Sequence, residues 1–320
     1  MSLLDRYDTL LFDLDGTVYR GTHAVDGAPE AVDAARAAGA TIRFVTNNAS
    51  RGPDEVAGHL TELGISAAPA EVSTSAQAAA HVLAEKVSGK VLVVGAESLV
   101  HEVELVGLTP VRLADDDVTA VVQGLDKDTS WRDLAEACIA INAGAIWVAC
   151  NVDSSLPTER GLLPGNGSLV AAVRTATGRE PIVAGKPATP LMDEALRTAN
   201  AERALAIGDR LDTDIAGAIA AGLDSLLVFT GVATPAELLA SDIRPTYLAP
   251  DVRAVTEDPT TLAVGERPGW EVRDGTVRGD GDPMDLLRTL CAGPRGVELT
   301  AADDKAAAAL RHLGLPHGLA

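Results

Sequence analysis

A recurring unit constrains this chain more than any other feature: a short β-prone apolar run that ends in polar or acidic residues, then an Ala-rich stretch closed by glycine. Its first instance is Thr9-Leu10-Leu11-Phe12, followed at once by Asp13, Asp15 and Gly16. An unbroken apolar run of that length marks a strand buried on both faces, as in a parallel sheet. The spacing then predicts a helix over 29–38 with Gly39 as its stop, a strand over 41–45 and a helix over 53–63 closed by Gly64. Strand, helix, strand, helix is the βαβ pattern of a doubly wound parallel sheet, in which ligands sit beyond the carboxyl ends of the strands. Asp13, Asp15, Thr46 and Asn47 all fall at such ends. Two acids beside a buried strand repel one another unless a metal or a shared proton holds them. Taken alone, the pair fits an ordinary Asp-Gly turn equally well.

A separate α/β pattern runs from 77 to 182, with strands expected at 91–94, 119–122 and 146–149 and helices at 97–106 and 131–143. It reads as an inserted domain. Its last part, 151–167, is long, polar and rich in Pro and Gly, and is expected to be a substrate-facing loop carrying Asp153 and Arg160. The first pattern resumes at Ile182-Val183, runs through Gly185-Lys186-Pro187 into a helix over 189–199, and reaches a strand ending in Gly208-Asp209-Arg210-Leu211-Asp212-Thr213-Asp214. A helix to 221, a strand over 225–229 and a helix over 235–240 complete it. Beyond 251, short strands at 261–264, 270–273 and 276–278, a hairpin at Asp274-Gly275 and helices at 283–291 and 301–313 form a small α+β appendage. The expected domains are therefore 1–76 with 183–250, the insertion 77–182, and 251–320.

With 47% hydrophobic residues the chain can bury a sizeable core, while a net charge of −20 without a Lys/Arg run argues against nucleic acid or an anionic membrane as partner. Cys138, Cys150 and Cys291 are odd in number and widely spaced, which fits a reducing cytoplasm. No basic leader opens the chain, and no apolar run approaches the roughly 20 residues that span a bilayer.

Asp13, Asp15, Thr46, Lys186, Asp209 and Asp214 make sense together as a site for phosphoryl transfer. That reaction needs a nucleophile in line with the leaving oxygen, a cation bridging nucleophile and phosphate, and donors to the equatorial oxygens. A carboxylate can be the nucleophile. Mg²⁺ suits carboxylates, carbonyls and waters. Thr46 and the amides after it can cradle phosphate at a helix start, and Lys186 can balance the charge.

The motifs Asp13-Leu14-Asp15-Gly16-Thr17, Thr46-Asn47-Asn48, Gly185-Lys186-Pro187 and Gly208 to Asp214, in that order, resemble those of the haloacid dehalogenase superfamily. The Thr-Asn-Asn and Gly-Lys-Pro forms with an α/β insertion between them resemble its p-nitrophenyl-phosphatase and phosphoglycolate-phosphatase branch, over about residues 5–250. The resemblance implies an α/β Rossmann-like core with an inserted cap. It also implies an aspartyl-phosphate mechanism in which Asp13 attacks and Asp15 moves protons. Mg²⁺ would be held by Asp13, the Asp15 carbonyl and Asp209, with Asp214 behind them, and phosphate by Thr46, Asn47, Asn48 and Lys186.

The cap would select the leaving group, with Asp153 and Arg160 as its candidates, and caps of this branch can contribute to homodimers. An aromatic content of 3% weakens the case for a stacked nucleotide base and favours a small polar alcohol phosphate. The resemblance puts glycerol 3-phosphate first and phosphoglycolate second. With its C-terminal segment the whole chain looks like actinobacterial members of this branch. That segment itself resembles a truncated acetyltransferase-like fold, in which Gly293–Gly296 is a weak sign of acyl-CoA binding; acetyl transfer is not expected. A dehalogenase would leave Asp15 and Asp209 without a role. A phosphomutase would transfer phosphate without releasing it, and a regulatory binder of phosphometabolites would bind without turnover.

Overall fold

The computed structural model describes residues 1–158 and 160–319; Glu159, within the expected substrate-facing loop, lies outside them. The architecture is α/β, with parallel sheets flanked by helices. Two compact units are formed, one by Met1–Ile42 with Ala201–Ala320, the other by Arg43–Asn200.

In the first unit, parallel strands lie in the order Tyr247–Ala249, Asp224–Val228, Ala204–Gly208 and Thr9–Asp13. Leu10, Leu11 and Phe12 are at most 1% exposed, because both faces of a parallel sheet are covered. The C-terminal segment adds a four-stranded sheet, Trp270–Arg273, Thr276–Gly279, Thr300–Ala301 and Gly318–Leu319, with helices Pro283–Ala292 and Asp304–His312. Where a strand was expected at 261–264, a short helix, Pro259–Leu262, forms instead. Asp258 caps it by accepting the Thr260 N–H at 2.8 Å, and Pro259 suits its first turn. Ala301, expected to open a helix, instead ends the strand Thr300–Ala301, and Asp303 caps the helix that follows.

In the second unit, Phe44 to Thr46, the end of the strand Thr41–Thr46, pair in parallel with Val72–Thr74. The strand Val72–Thr74 and the helix Ser75–Ala84 have no counterpart in the sequence reading, since three residues are too few to show a period. A five-stranded parallel sheet runs Ile182–Val183, Ile146–Ala149, Val118–Gln123, Lys90–Val94 and Thr109–Val111. Ile182–Val183 thus pairs with Ile146–Ala149, in the sheet of the insertion, rather than reopening the first pattern.

The expected long loop at 151–167 instead holds an antiparallel hairpin, Ser155–Thr158 with Gly161–Pro164, and its close is the start of a helix, Asn166–Thr177. Alternation was hidden there by two prolines and by glycines whose packing requires them. A Cβ on Gly165 would stand 2.3 Å from the Asp153 carbonyl oxygen, and one on Gly167 would stand 2.1 Å from that of Val152. Among the described residues no helix is long and apolar enough to cross a membrane.

Candidate active site

Polar side chains collect at strand ends in each unit. In the first, Asp13 closes the strand Thr9–Asp13, and Asp209 follows the parallel strand Ala204–Gly208 paired with it. Adjacent parallel strands deliver both carboxylates to the same end of the sheet. A turn of π-helix, Leu211–Ile215, then carries Asp214 to the same place, a form of helix often found at functional sites. One oxygen from each of Asp13, Asp209 and Asp214 lies within 4.8 Å of the other two. Asp209 and Asp214 are 0% and 2% exposed. Carboxylates this close and this buried repel one another unless a cation or a proton lies between them.

The position of Asp209 is over-determined. Its Oδ1 accepts from Thr17 Oγ1 at 3.3 Å, its Oδ2 from the Val232 N–H at 2.6 Å, and its carbonyl from the Ala233 N–H at 2.9 Å. Thr230 Oγ1 donates to the Gly16 carbonyl at 2.7 Å, tying the same segment to the turn after Asp13. Gly16 has φ +92°, and a Cβ there would stand 2.5 Å from Asp209 Oδ2; one on Gly231 would stand 1.8 Å from the same atom. Asp214 Oδ2 accepts the Arg210 N–H at 3.0 Å. Asp15 is exposed, on a turn where the Gly16 N–H donates to the Tyr19 carbonyl at 2.8 Å. Asp212 turns away, paired with Arg210 at 2.8 Å, whose hydrogen bonds hold its carboxyl below the usual carboxylate range. Three carboxylates, two of them buried and that of Asp13 half-buried, beside a hydroxyl form an all-oxygen donor set that fits Mg²⁺.

In the second unit, Thr46 ends its strand and its Oγ1 accepts the Asn48 N–H at 3.1 Å, which leaves the hydroxyl proton for an outside acceptor. Lys186 is 2% exposed, and its Nζ donates to the Val45 carbonyl at 3.2 Å. The Asn47 carboxamide is committed to the protein. Its Oδ1 accepts the Lys186 N–H at 2.8 Å, and its Nδ2 donates to the Lys186 carbonyl at 3.0 Å and to both oxygens of Asp153 at 3.2 and 3.3 Å. Asn48 Oδ1 accepts the Ser50 N–H at 2.7 Å. Asp153 is therefore brought to the motif residues. Arg160 lies on the exposed turn of the hairpin, where its N–H donates to Thr158 Oγ1 at 3.2 Å.

Three supports were not foreseen. Ser75 Oγ and Asn151 Nδ2 both donate to the Asn47 carbonyl, at 2.6 and 2.7 Å, and Asn166 Nδ2 donates to the Asn151 carbonyl at 2.7 Å. They act through long-range backbone contacts, which no local motif announces.

A profile of haloacid dehalogenase-like hydrolases matches residues 10–109, and a second profile of like hydrolases matches residues 183–255. D-glycerol 3-phosphate phosphatase of Mycobacterium tuberculosis is 53% identical over 293 residues, which is 89% of this chain and 82% of that one. The chain belongs to the haloacid dehalogenase-like hydrolases. Within this family, the crystal structure of a glycerol phosphate phosphatase from Mycobacterium tuberculosis in complex with magnesium superposes with a TM-score of 0.95 at 49% identity, covering 99% of each chain. A 5'-nucleotidase of Bacillus subtilis is 39% identical over 75% of this chain and 94% of its own. Family members of similar sequence thus carry different substrate names, so the family fixes the chemistry of the site more tightly than its leaving group.

Proposed function

We propose that the chain is a Mg²⁺-dependent phosphatase that hydrolyses a small phosphate monoester, with glycerol 3-phosphate as the preferred substrate. The observation that carries this reading is the convergence of Asp13, Asp209 and Asp214 in the first unit; Lys186 and Thr46 of the second unit supply the cation and the hydroxyl donor that the reaction also needs. The similarity to the mycobacterial enzyme, which extends into the C-terminal segment, supports the choice of substrate.

Asp13 attacks phosphorus, and the bond to the alcohol oxygen breaks as Asp15 gives that oxygen a proton. Asp15 then takes a proton from water as the water oxygen attacks phosphorus, and the bond to Asp13 breaks to release phosphate. Asp13, Asp209 and Asp214, with the Asp15 carbonyl, would hold Mg²⁺, which would offset the negative charge shared by acids and phosphate. Thr46 and the amides at Asn47 and Asn48 bind the phosphate oxygens, and Lys186 balances their charge. Asn47 contributes by holding Lys186 and Asp153 in one arrangement. Asp153, and Arg160 from the hairpin, face the alcohol.

The unpaired Cys138, Cys150 and Cys291 support a cytoplasmic location. The net charge of −20 argues against nucleic acid as a partner. The exposed Trp131, Ile139, Leu162 and Leu163 of the second unit are apolar surface that a second copy would cover, which sedimentation velocity checks.

Phosphate release across a panel of glycerol 3-phosphate, phosphoglycolate, sugar phosphates and nucleoside monophosphates tests the assignment. Glycerol 3-phosphate is expected to give the highest kcat/KM. The variant Asp13→Asn is expected to lose about 10⁴-fold in kcat or more, with an unchanged circular dichroism spectrum. Turnover undiminished in that variant, or in metal-free buffer, refutes the mechanism; binding without turnover across the panel favours a regulatory protein.

A further inference from the structure

The first unit contains a cavity of about 600 Å³ in its C-terminal segment, a volume typical of small-molecule sites. Leu239, Val272, Leu290, Leu299 and Leu315 give it apolar walls, and its polar side chains include Asp274, Glu298 and His317. None of the lining residues is Lys or Arg; Arg295, between the lining Pro294 and Gly296, donates to the Asp242 carbonyl at 2.9 Å.

The two acids are brought to one rim by a close backbone approach. Gly275 has φ +80°, and a Cβ on it would stand 2.2 Å from the Glu298 carbonyl oxygen, so only glycine lets the Asp274-Gly275 turn pack there. Asp274 and Glu298 are both exposed. Two carboxylates lining one apolar cavity favour a cationic group on its ligand.

The cavity also adjoins the segment that holds Asp209. Ala236, Leu239 and Ala240, from the helix Pro235–Ala240, line it. The residues leading into that helix are Thr230, Val232 and Ala233, which bond Gly16 and Asp209. Thr234 fixes the start of the helix by accepting the Glu237 N–H at 3.2 Å.

We propose that this cavity is an effector site for a small amphiphile with one ammonium group on a compact apolar body, and that its occupancy is transmitted through Pro235–Ala240 to the carboxylate of Asp209. The ammonium sits between Asp274 and Glu298, and the apolar body lies against Leu239, Leu299 and Leu315. Any ligand that shifts the helix shifts the Val232 amide, and with it the affinity for a divalent cation. By linkage, the cation shifts the affinity for the ligand by the same factor.

Titration calorimetry of the full chain with hexylamine, hexanoate and 1-hexanol tests this without any turnover. Hexylamine is expected to bind saturably and at least about tenfold more tightly than hexanoate, with hexanol between them. In Asp274→Asn/Glu298→Gln the preference for the amine is expected to vanish; asparagine tolerates the left-handed conformation that Asp274 adopts at φ +47°. Ala240→Trp, which fills the cavity, is expected to abolish binding of all three. Mg²⁺ titrated with and without saturating hexylamine is expected to show an affinity change of about fivefold or more.

A highly acidic chain could collect amines at many places, so hexylamine binding unaltered in both variants overturns the site, as does the absence of saturable binding. Site-dependent binding with unchanged Mg²⁺ affinity overturns the coupling to Asp209. Loss of phosphatase activity enters none of these readouts, so failure of the proposed reaction would be seen separately.

Discussion

At the scale of single residues, the carboxylate of Asp209, proposed to hold the metal, is defined as much by what is missing around it as by what touches it. Gly16 and Gly231 leave the space that Asp209 occupies, and a Cβ on Gly231 would stand 1.8 Å from Asp209 Oδ2. Gly231→Ala is therefore expected to displace that oxygen and to loosen its bond from the Val232 N–H, lowering Mg²⁺ affinity by about 10- to 100-fold. Calorimetric Mg²⁺ titration of the folded variant checks this; an unchanged affinity would mean that Asp209 is not a ligand. Gly16 was visible in the sequence as part of Asp-Leu-Asp-Gly-Thr. Gly231 was not, because its role depends on an approach between residues 22 positions apart. The convergence of Asp13, Asp209 and Asp214 was legible because a strand end marks each place where a parallel sheet presents side chains to a ligand. Asn151 and Asn166 were illegible, since asparagine in a loop or a first helical turn looks the same whether it bonds water or a distant carbonyl.

At the scale of elements, buried runs such as Thr9–Asp13, Lys90–Val94 and Ala204–Gly208 were legible from hydrophobicity alone. The hairpin Ser155–Thr158 with Gly161–Pro164 was not, because four-residue strands interrupted by proline carry no clear alternation. The helix Glu97–Leu105 shows a further limit. Helical spacing puts Glu102 on the face of Leu99, Val103 and Val106, where a sequence offers no partner for it, and the residue is only 6% exposed. Burial is the main force raising its carboxyl above the usual 4.5; Asp54 also raises it, and His101 opposes both.

The sign of the consequence follows from the order of ionisation. Below the unfolded value the carboxyl is neutral in both states, and its contribution to stability is fully present. As pH rises through the folded value, the unfolded chain has already ionised, and that contribution is lost. Glu102→Gln cannot ionise, so it is expected to be more stable than the parent at pH 7 and to lose that advantage below about pH 4.5. Urea midpoints of both proteins across this range decide it. An advantage independent of pH would assign the effect to packing rather than charge.

At the scale of the molecule, the C-terminal segment was legible as an appendage but not as part of another core. Its apolar residues serve a partner far away in sequence, which periodicity cannot reveal. Leu286, Leu287 and Leu290 pack in one cluster with Leu211, Ile215, Leu227 and Leu248 of the parallel-sheet body. Arg288 donates to the Leu248 carbonyl at 2.7 and 3.1 Å and pairs with Asp285 at 2.8 Å. A segment of this kind should not unfold alone, because opening it would strip the sheet strand Asp224–Val228 of cover. Leu287 is 0% exposed, and Leu287→Ala is expected to cost about 2–5 kcal/mol. The decisive measurement is native-state hydrogen exchange at Leu226, Leu227 and Val228. If segment and sheet share one cooperative unit, protection of these amides falls by the same free energy as that of helix Pro283–Ala292. Protection of the strand that is unaffected by the substitution would show two units that fold separately, and a cavity ligand in the C-terminal segment would then have no mechanical path to Asp209.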